Sequence, residues 1–202
     1  LPKKWFGPTK IKRLFDICAS FLALVVLSPL FLVICIVNLF TPECSVFFSH
    51  ERRGRRGKPF TIYKFQTMKN NTPNCATGEL ENPEQYITKF GKFLRKTSLD
   101  ELPQLWNILK GDMSFVGPRP LISSEMRAHR LRLEYGVYRF RPGLTGWAQI
   151  NGRDSISLLR KMKLDKEYCD NWSLKLDLII LLRSVGAVVK QEGFHEGTYH
   201  RR

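Results

Sequence analysis

The run ICASFLALVVLSPLFLVICIVNLF, from Ile17 to Phe40, decides how the rest of this chain is read: it is 24 residues long and carries no charge. As one α-helix it would reach roughly 36 Å at about 1.5 Å per residue. A bilayer hydrocarbon core is roughly 30 Å thick, so the run is long enough to span one. It is too long and too apolar for an ordinary buried core helix. A cleaved signal peptide is disfavoured by its length and by the lack of a small-residue cleavage site after it.

Two features argue against a simple span. Ser28-Pro29 sits at the middle of the run, and an interior proline removes a hydrogen bond and clashes with the preceding turn, costing about 3 kcal/mol unless the helix bends. Basic residues also flank both ends: Lys3, Lys4, Lys10, Lys12 and Arg13 before it, Arg52, Arg53, Arg55, Arg56 and Lys58 after it. The positive-inside rule places such clusters on one side of the membrane. A re-entrant helix that breaks at Ser28-Pro29 and leaves on the side it entered satisfies both flanks, with the Ser28 hydroxyl or neighbouring helices meeting the freed backbone groups. Read from the residues alone, re-entry and a kinked span both stay open. Asp16, at the entry, is expected to pair with Lys12 or Arg13 one turn back.

Working outward, the whole chain has 202 residues, 33 Lys+Arg against 18 Asp+Glu, and a net charge of +15. Its length fits one domain, alone or with an appendage, and 43% hydrophobic residues exclude wholesale disorder. A mean hydropathy of −0.23 excludes a polytopic membrane protein. The five cysteines are widely spaced with no C-x-x-C pair, and the four histidines form no ligand-spaced cluster, which disfavours a disulfide framework or a zinc site. The excess positive charge implies an anionic partner: nucleic acid, an anionic membrane leaflet or a phosphorylated substrate.

After the apolar run, Val46–Phe48 and Phe60–Phe65 predict the strands of a small β-hairpin around a charged turn. The arginines of that turn read either as solvated or as contacts to lipid headgroups. The polar segment 70–84 predicts a loop. Helices are expected over 86–96, from 98 to 110, over 123–135, over 155–169 and over 174–190, the last either interfacial or packed in the domain. Ser98 and Glu101 have capping-box spacing. The segments 114–120 (SFVGPRP) and 141–147 (RPGLTGW) predict stiff Gly/Pro loops.

No G-x-x-x-x-G-K, G-x-G-x-x-G or G-x-S-x-G occurs, which disfavours a nucleoside triphosphatase or an α/β-hydrolase. What stands out is a set of charged residues in stiff contexts: Lys64, Asp100, Glu101, Arg119 and Arg153. Acids in a first helical turn complement the helix dipole and cap its amides. A carboxylate there is also placed to meet a phosphorus centre as nucleophile or metal ligand. Neighbouring helical residues do not share a face, so the two carboxylates should differ in role. Arg119, between two prolines, has little backbone freedom, which suits a guanidinium that meets a phosphate as a fork. The plainer reading is a solvated turn.

The order KFQTM (Lys64 to Met68), TSLDELPQLWNILKGDMSFVGPRP (Thr97 to Pro120) and RPGLTGWAQINGR (Arg141 to Arg153) resembles the bacterial sugar transferase family, the monotopic phosphoglycosyl transferases. The resemblance runs from about Lys10 to about Val189. It implies an α+β, mostly helical fold: a re-entrant membrane helix over 1–42, a catalytic domain over 43–192 with interfacial amphipathic helices, and a tail over 193–202. It implies transfer of a phospho-sugar from a UDP-sugar to undecaprenyl phosphate with release of UMP, at the cytoplasmic face of the bacterial inner membrane. Asp100 would be the nucleophile that carries the phospho-sugar and would lie near Mg²⁺. Glu101 would handle a proton or organise the site. Arg119 would hold a phosphate, Arg153 the nucleotide or diphosphate, and Lys64 would add positive charge.

Anionic lipids are expected partners and nucleic acid is not; a homodimer stays open. The competing reading is a non-enzymatic, membrane-tethered basic adaptor for anionic lipid or nucleic acid. It accounts for the charge and the apolar run, but not for Pro-Arg-Pro, the paired acids or their order.

Overall fold

The computed structural model describes residues 10–73, 80, 82–152 and 155–190. The apolar run folds as two helices, α1 (Lys10–Val26) and α2 (Ser28–Leu39). Among the described residues no single helix is long and apolar enough to cross a membrane; α1 and α2 are so only as a pair, bent by 61°. The bend has a local cause. Pro29 has no N–H for the Val25 carbonyl, and the Ser28 hydroxyl donates to that carbonyl instead, at 2.8 Å. The bonds from Leu27 N–H to Ala23 O and from Phe31 N–H to Leu27 O, each 2.9 Å, continue the ladder on both sides.

The faces of α1 are inverted relative to a soluble helix. Lys12, Asp16 and Ser20, four residues apart, are buried. Ile11, Phe21, Leu22 and Val26 are each at least 60% exposed. The buried polar stripe is fully engaged. Lys12 Nζ meets Asp177 Oδ2 at 2.6 Å. Asp177 also accepts from the Tyr168 hydroxyl at 2.7 Å and from Trp172 Nε1 at 3.2 Å. Asp16 feels the charges of Lys12 and Arg13 one turn back, as expected, and also accepts hydrogen bonds across the fold from Ser114 Oγ and the Phe115 N–H, each at 3.1 Å. Arg13 donates to the Ile108 and Leu109 carbonyls at 2.6 and 2.7 Å. On α2, the buried Asn38 donates to the Val46 and Gln66 carbonyls.

The hairpin is longer than expected. β1 (Phe47–Arg53) and β2 (Pro59–Phe65) pair antiparallel from Phe47↔Phe65 to Arg53↔Pro59. The charged His50–Arg53 stretch therefore belongs to the strand, because its pairing with Ile62 to Pro59 satisfies the backbone whatever the side chains are. The two Gly/Pro segments are also partly strand. β3 (Ser114–Val116) runs parallel to β5 (Gly143–Thr145), while β4 (Leu121–Ile122) adds to β1, giving the order β2-β1-β4. Their backbones touch: a Cβ on Gly143 would lie 2.1 Å from the Gly117 nitrogen, so only glycine fits.

The remaining helices are α3 (Lys89–Thr97), α4 (Gln104–Lys110), α5 (Met126–Glu134), α6 (Trp147–Ile150), α7 (Leu158–Asp170) and α8 (Leu174–Lys190). α3 begins three residues later than expected because Thr88 caps it, accepting from the Gly91 N–H at 2.9 Å. Ser98 is not a capping-box residue. It lies in the left-handed region at φ 57° and ends α3, and Leu99–Glu101 then form a 3₁₀ turn. Pro103 separates that turn from α4. α4 ends at Gly111 (φ 104°), where Arg13 and Arg141 cover its last carbonyls.

The core is assembled around these joints. Ile62, Leu105, Ile108 and Met113 join the hairpin to α4, and Ile34, Phe65 and Leu94 join α2 to the hairpin and α3. Val116, Val137, Phe140, Tyr168, Cys169 and Ile180 join β3 to α7 and α8. α8 packs through Ile180 and Asp177 yet leaves Leu174, Leu178, Leu182 and Val185 exposed on one stripe.

Candidate active site

The 3₁₀ turn Leu99–Glu101 packs against β2 and brings three of the residues singled out from the sequence together. Lys64 Nζ lies 2.6 Å from Glu101 Oε1 and 3.9 Å from Asp100 Oδ2. Both carboxylates thus address one lysine, which reaches them from β2. They are still unequal. Glu101 takes the short ion pair, while Asp100 is the more buried, at 8% exposure. Burial raises the Asp100 carboxyl to about 6; Lys64 opposes that shift and the neighbouring Glu101 adds to it. A buried carboxylate that Lys64 approaches only to 3.9 Å is partly neutralised.

Arg119 is exposed between the buried Pro118 and Pro120. Its backbone is fixed by the paired Gly/Pro segments: Gly117 N–H donates to Thr145 O and Gly143 N–H to Pro118 O, both at 2.9 Å. A rigid loop therefore presents a guanidinium that makes no side-chain hydrogen bond or ion pair among the described residues. Arg153 lies outside the described residues.

Two further cations belong to this neighbourhood. Arg95, from α3, acts electrostatically on Asp100, and its Nε donates to Thr67 Oγ1 at 2.9 Å. Arg52, from β1, is expected from the sequence to lie in the charged turn, either solvated or at lipid headgroups. It instead sits on the strand, in a cross-strand pair with Phe60. Burial lowers its guanidinium to about 10; Arg119 adds to that shift, while Glu125 and Glu101 oppose it. The signal was in the alternation: two-residue steps from Phe48 through His50 to Arg52, opposite Lys64, Ile62 and Phe60, put Arg52 and Lys64 on one face of the sheet.

Among the described residues no group of three or more His, Cys, Asp or Glu is arranged to hold a metal ion. Mg²⁺ does not require one, since it commonly takes one or two carboxylates and completes its shell with phosphate oxygens and water. The partly neutralised Asp100 beside Glu101 fits that donor set.

The model of the bacterial sugar transferase family matches residues 8–191, and the chain belongs to that family. It is 44% identical to an uncharacterized sugar transferase, EpsL, of Bacillus subtilis, over 92% of this chain and 91% of that protein. It is 40% identical to the exopolysaccharide production protein ExoY of Rhizobium meliloti, over 90% of this chain and 87% of that one. It is 36% identical to the undecaprenyl-phosphate galactose phosphotransferase of Salmonella typhimurium, over 91% of this chain but 41% of that longer protein. The protein is a transferase, and the reading as a non-enzymatic adaptor gives way.

Proposed function

We propose that this transferase moves a sugar phosphate from a UDP-sugar to undecaprenyl phosphate in two steps, starting a bacterial polysaccharide on its lipid carrier. The names of relatives such as the Salmonella typhimurium phosphotransferase support the lipid acceptor and the sugar-phosphate group. The observation that carries the reading is Asp100: a buried carboxylate kept 3.9 Å from Lys64 while Glu101 takes the close contact.

In the first step an Asp100 carboxylate oxygen bonds to the β-phosphorus of the donor, and the bond from that phosphorus to the bridging oxygen breaks. UMP leaves with the bonding electrons, and an acyl phosphate to the sugar remains on Asp100. In the second step an oxygen of the lipid phosphate attacks the same phosphorus and Asp100 is released as carboxylate. Two negatively charged phosphates repel each other, so dividing the transfer avoids bringing donor and acceptor together. Lys64 orders Glu101 and draws Asp100 towards its charged form. Arg119 is placed to hold phosphoryl oxygens. Mg²⁺, held by Asp100 with phosphate oxygens, would neutralise developing charge at the diphosphate.

The same reading gives α1 and α2 a purpose. Their apolar outward faces and buried polar stripe suit a re-entrant pair set in the cytoplasmic leaflet, with both ends among anionic headgroups. The exposed stripe of α8 suits the headgroup boundary.

Incubation with a panel of UDP-sugars should release UMP, and mass spectrometry of protein quenched without lipid acceptor should find the sugar phosphate on the peptide bearing Asp100. An unmodified peptide during rapid UMP release would refute the covalent step.

A further inference from the structure

The strand that carries the hairpin's basic residues holds a guanidinium with no partner. Arg52 makes no side-chain hydrogen bond or ion pair among the described residues, and its Nε is buried without an acceptor. An orphaned, partly buried guanidinium is costly unless an anion completes it. The fold delivers a second one beside it. β4 pairs Arg52 with Ile122, and the chain enters β4 directly from Pro118-Arg119-Pro120. Two like charges are thus brought together, and Arg119 acts electrostatically on Arg52. The nearby Glu101 and Glu125 offset this only in part, because each is engaged elsewhere. Glu101 is held at 2.6 Å by Lys64, and Glu125 accepts from the Ile122 N–H at 2.8 Å.

We infer that Arg52 is a phosphate-binding residue, paired with Arg119 to grip a phosphoryl group presented to Asp100. The inference rests on the transfer proposed above only for the source of that group. Arg119 supplies an exposed guanidinium on a rigid loop, and Arg52 supplies a half-buried one on a strand. Between them they match the oxygens of one phosphate or of two linked ones. Donor diphosphate and acceptor monophosphate share this chemistry.

The test uses the full chain in detergent micelles and inorganic pyrophosphate, which requires no turnover. By calorimetry, Arg52→Met should weaken pyrophosphate binding about tenfold to a hundredfold, the size of a lost charge-assisted hydrogen bond. Arg52→Lys should recover part of the loss. The Arg52→Met melting temperature without ligand should not fall, since a desolvated charge is removed and the side-chain stem is kept. Arg53→Met is the control. It deletes the same charge one residue along, on the opposite face of β1, and should leave binding within about twofold. Equal weakening in both variants would reduce the effect to net charge and overturn the inference. So would unchanged binding in Arg52→Met, or a lowered melting temperature with no recovery in Arg52→Lys.

The source is read from half-reactions. Slower UMP release without lipid assigns the gripped group to the donor, and slowing only of the lipid-dependent step assigns it to the acceptor. An Arg52→Met protein slow in neither, while the wild type turns over, would overturn the inference. A wild type that binds pyrophosphate through Arg52 but releases no UMP from any UDP-sugar would leave this site standing and sink the proposed reaction.

Discussion

Two buried aspartates show what this molecule does with charge. Asp165, on α7, and Arg132, on α5, are each 3% exposed in their side chains and meet at 2.6 Å. Asp100 is nearly as buried, yet its lysine stands 3.9 Å away and is engaged by Glu101. Both carboxylates are desolvated, but only the first is matched at hydrogen-bond distance; the second is matched in part, by Lys64 at 3.9 Å and the field of Arg95. A matched buried pair holds two helices together and is silent chemically. A partly matched one leaves a carboxylate with charge to share, as the proposed reaction requires. The contrast separates a joint from a candidate working site by geometry, with no reference to where either falls in the sequence.

The largest expected effect breaks the partly matched side. Asp100→Asn should cut UMP release by at least about a thousandfold, because the amide is no nucleophile. Retention of more than a tenth of wild-type turnover would remove Asp100 from the mechanism. Next comes the matched side. Asp165→Ala or Arg132→Met should destabilise the fold by roughly 3–5 kcal/mol, since each leaves an uncompensated buried charge. Thermal denaturation should then move down by about 10 °C or more for a chain of this size.

A smaller effect of opposite sign sharpens the comparison. The Asp100 carboxyl titrates at about 6 in the folded protein against 3.8 for an unburied one. Between those values the unfolded chain has lost the proton and the folded chain keeps it. Stability should therefore fall as pH rises from about 4 to about 6 and flatten above, by at most ~3 kcal/mol. Asp100→Asn should lack this slope and melt higher than wild type at pH 7.5, both measured with chelator present. A wild-type protein that gains stability over that window would contradict the placement of Asp100. The smallest effect concerns Lys64. Because it draws Asp100 towards ionisation, Lys64→Met should shift the acid limb of UMP release upward, by about one pH unit. An unmoved limb would mean that Lys64 acts on Glu101 alone.

Much of this was legible in the sequence. The bend at Ser28-Pro29 followed from a missing N–H, and the structure uses the Ser28 hydroxyl to repair it. Lys64, Asp100 and Glu101 do converge. What was not legible depended on distant partners. No local rule shows that Asp16 also accepts from Ser114 and Phe115, nearly a hundred residues away. Ser98 carried the spacing of a cap, yet the chain needed a left-handed corner there before Pro103. Arg52 was hidden because charge in His50–Arg53 looked like a turn, while the backbone pairing that makes it a strand lies in β2 and β4.

Arg13 on the carbonyl end of α4 has a mechanical consequence. The helix it grips is seven residues long, and Asp100 stands just ahead of its other end. α4 is therefore a spacer, on the order of 10 Å long, that fixes how far Asp100 hangs from the root of the bent helix pair. Adding one turn to it would leave every reactive group chemically intact and move them by roughly 5 Å. Under the proposed reaction, such an enzyme would keep its chemistry and miss its lipid.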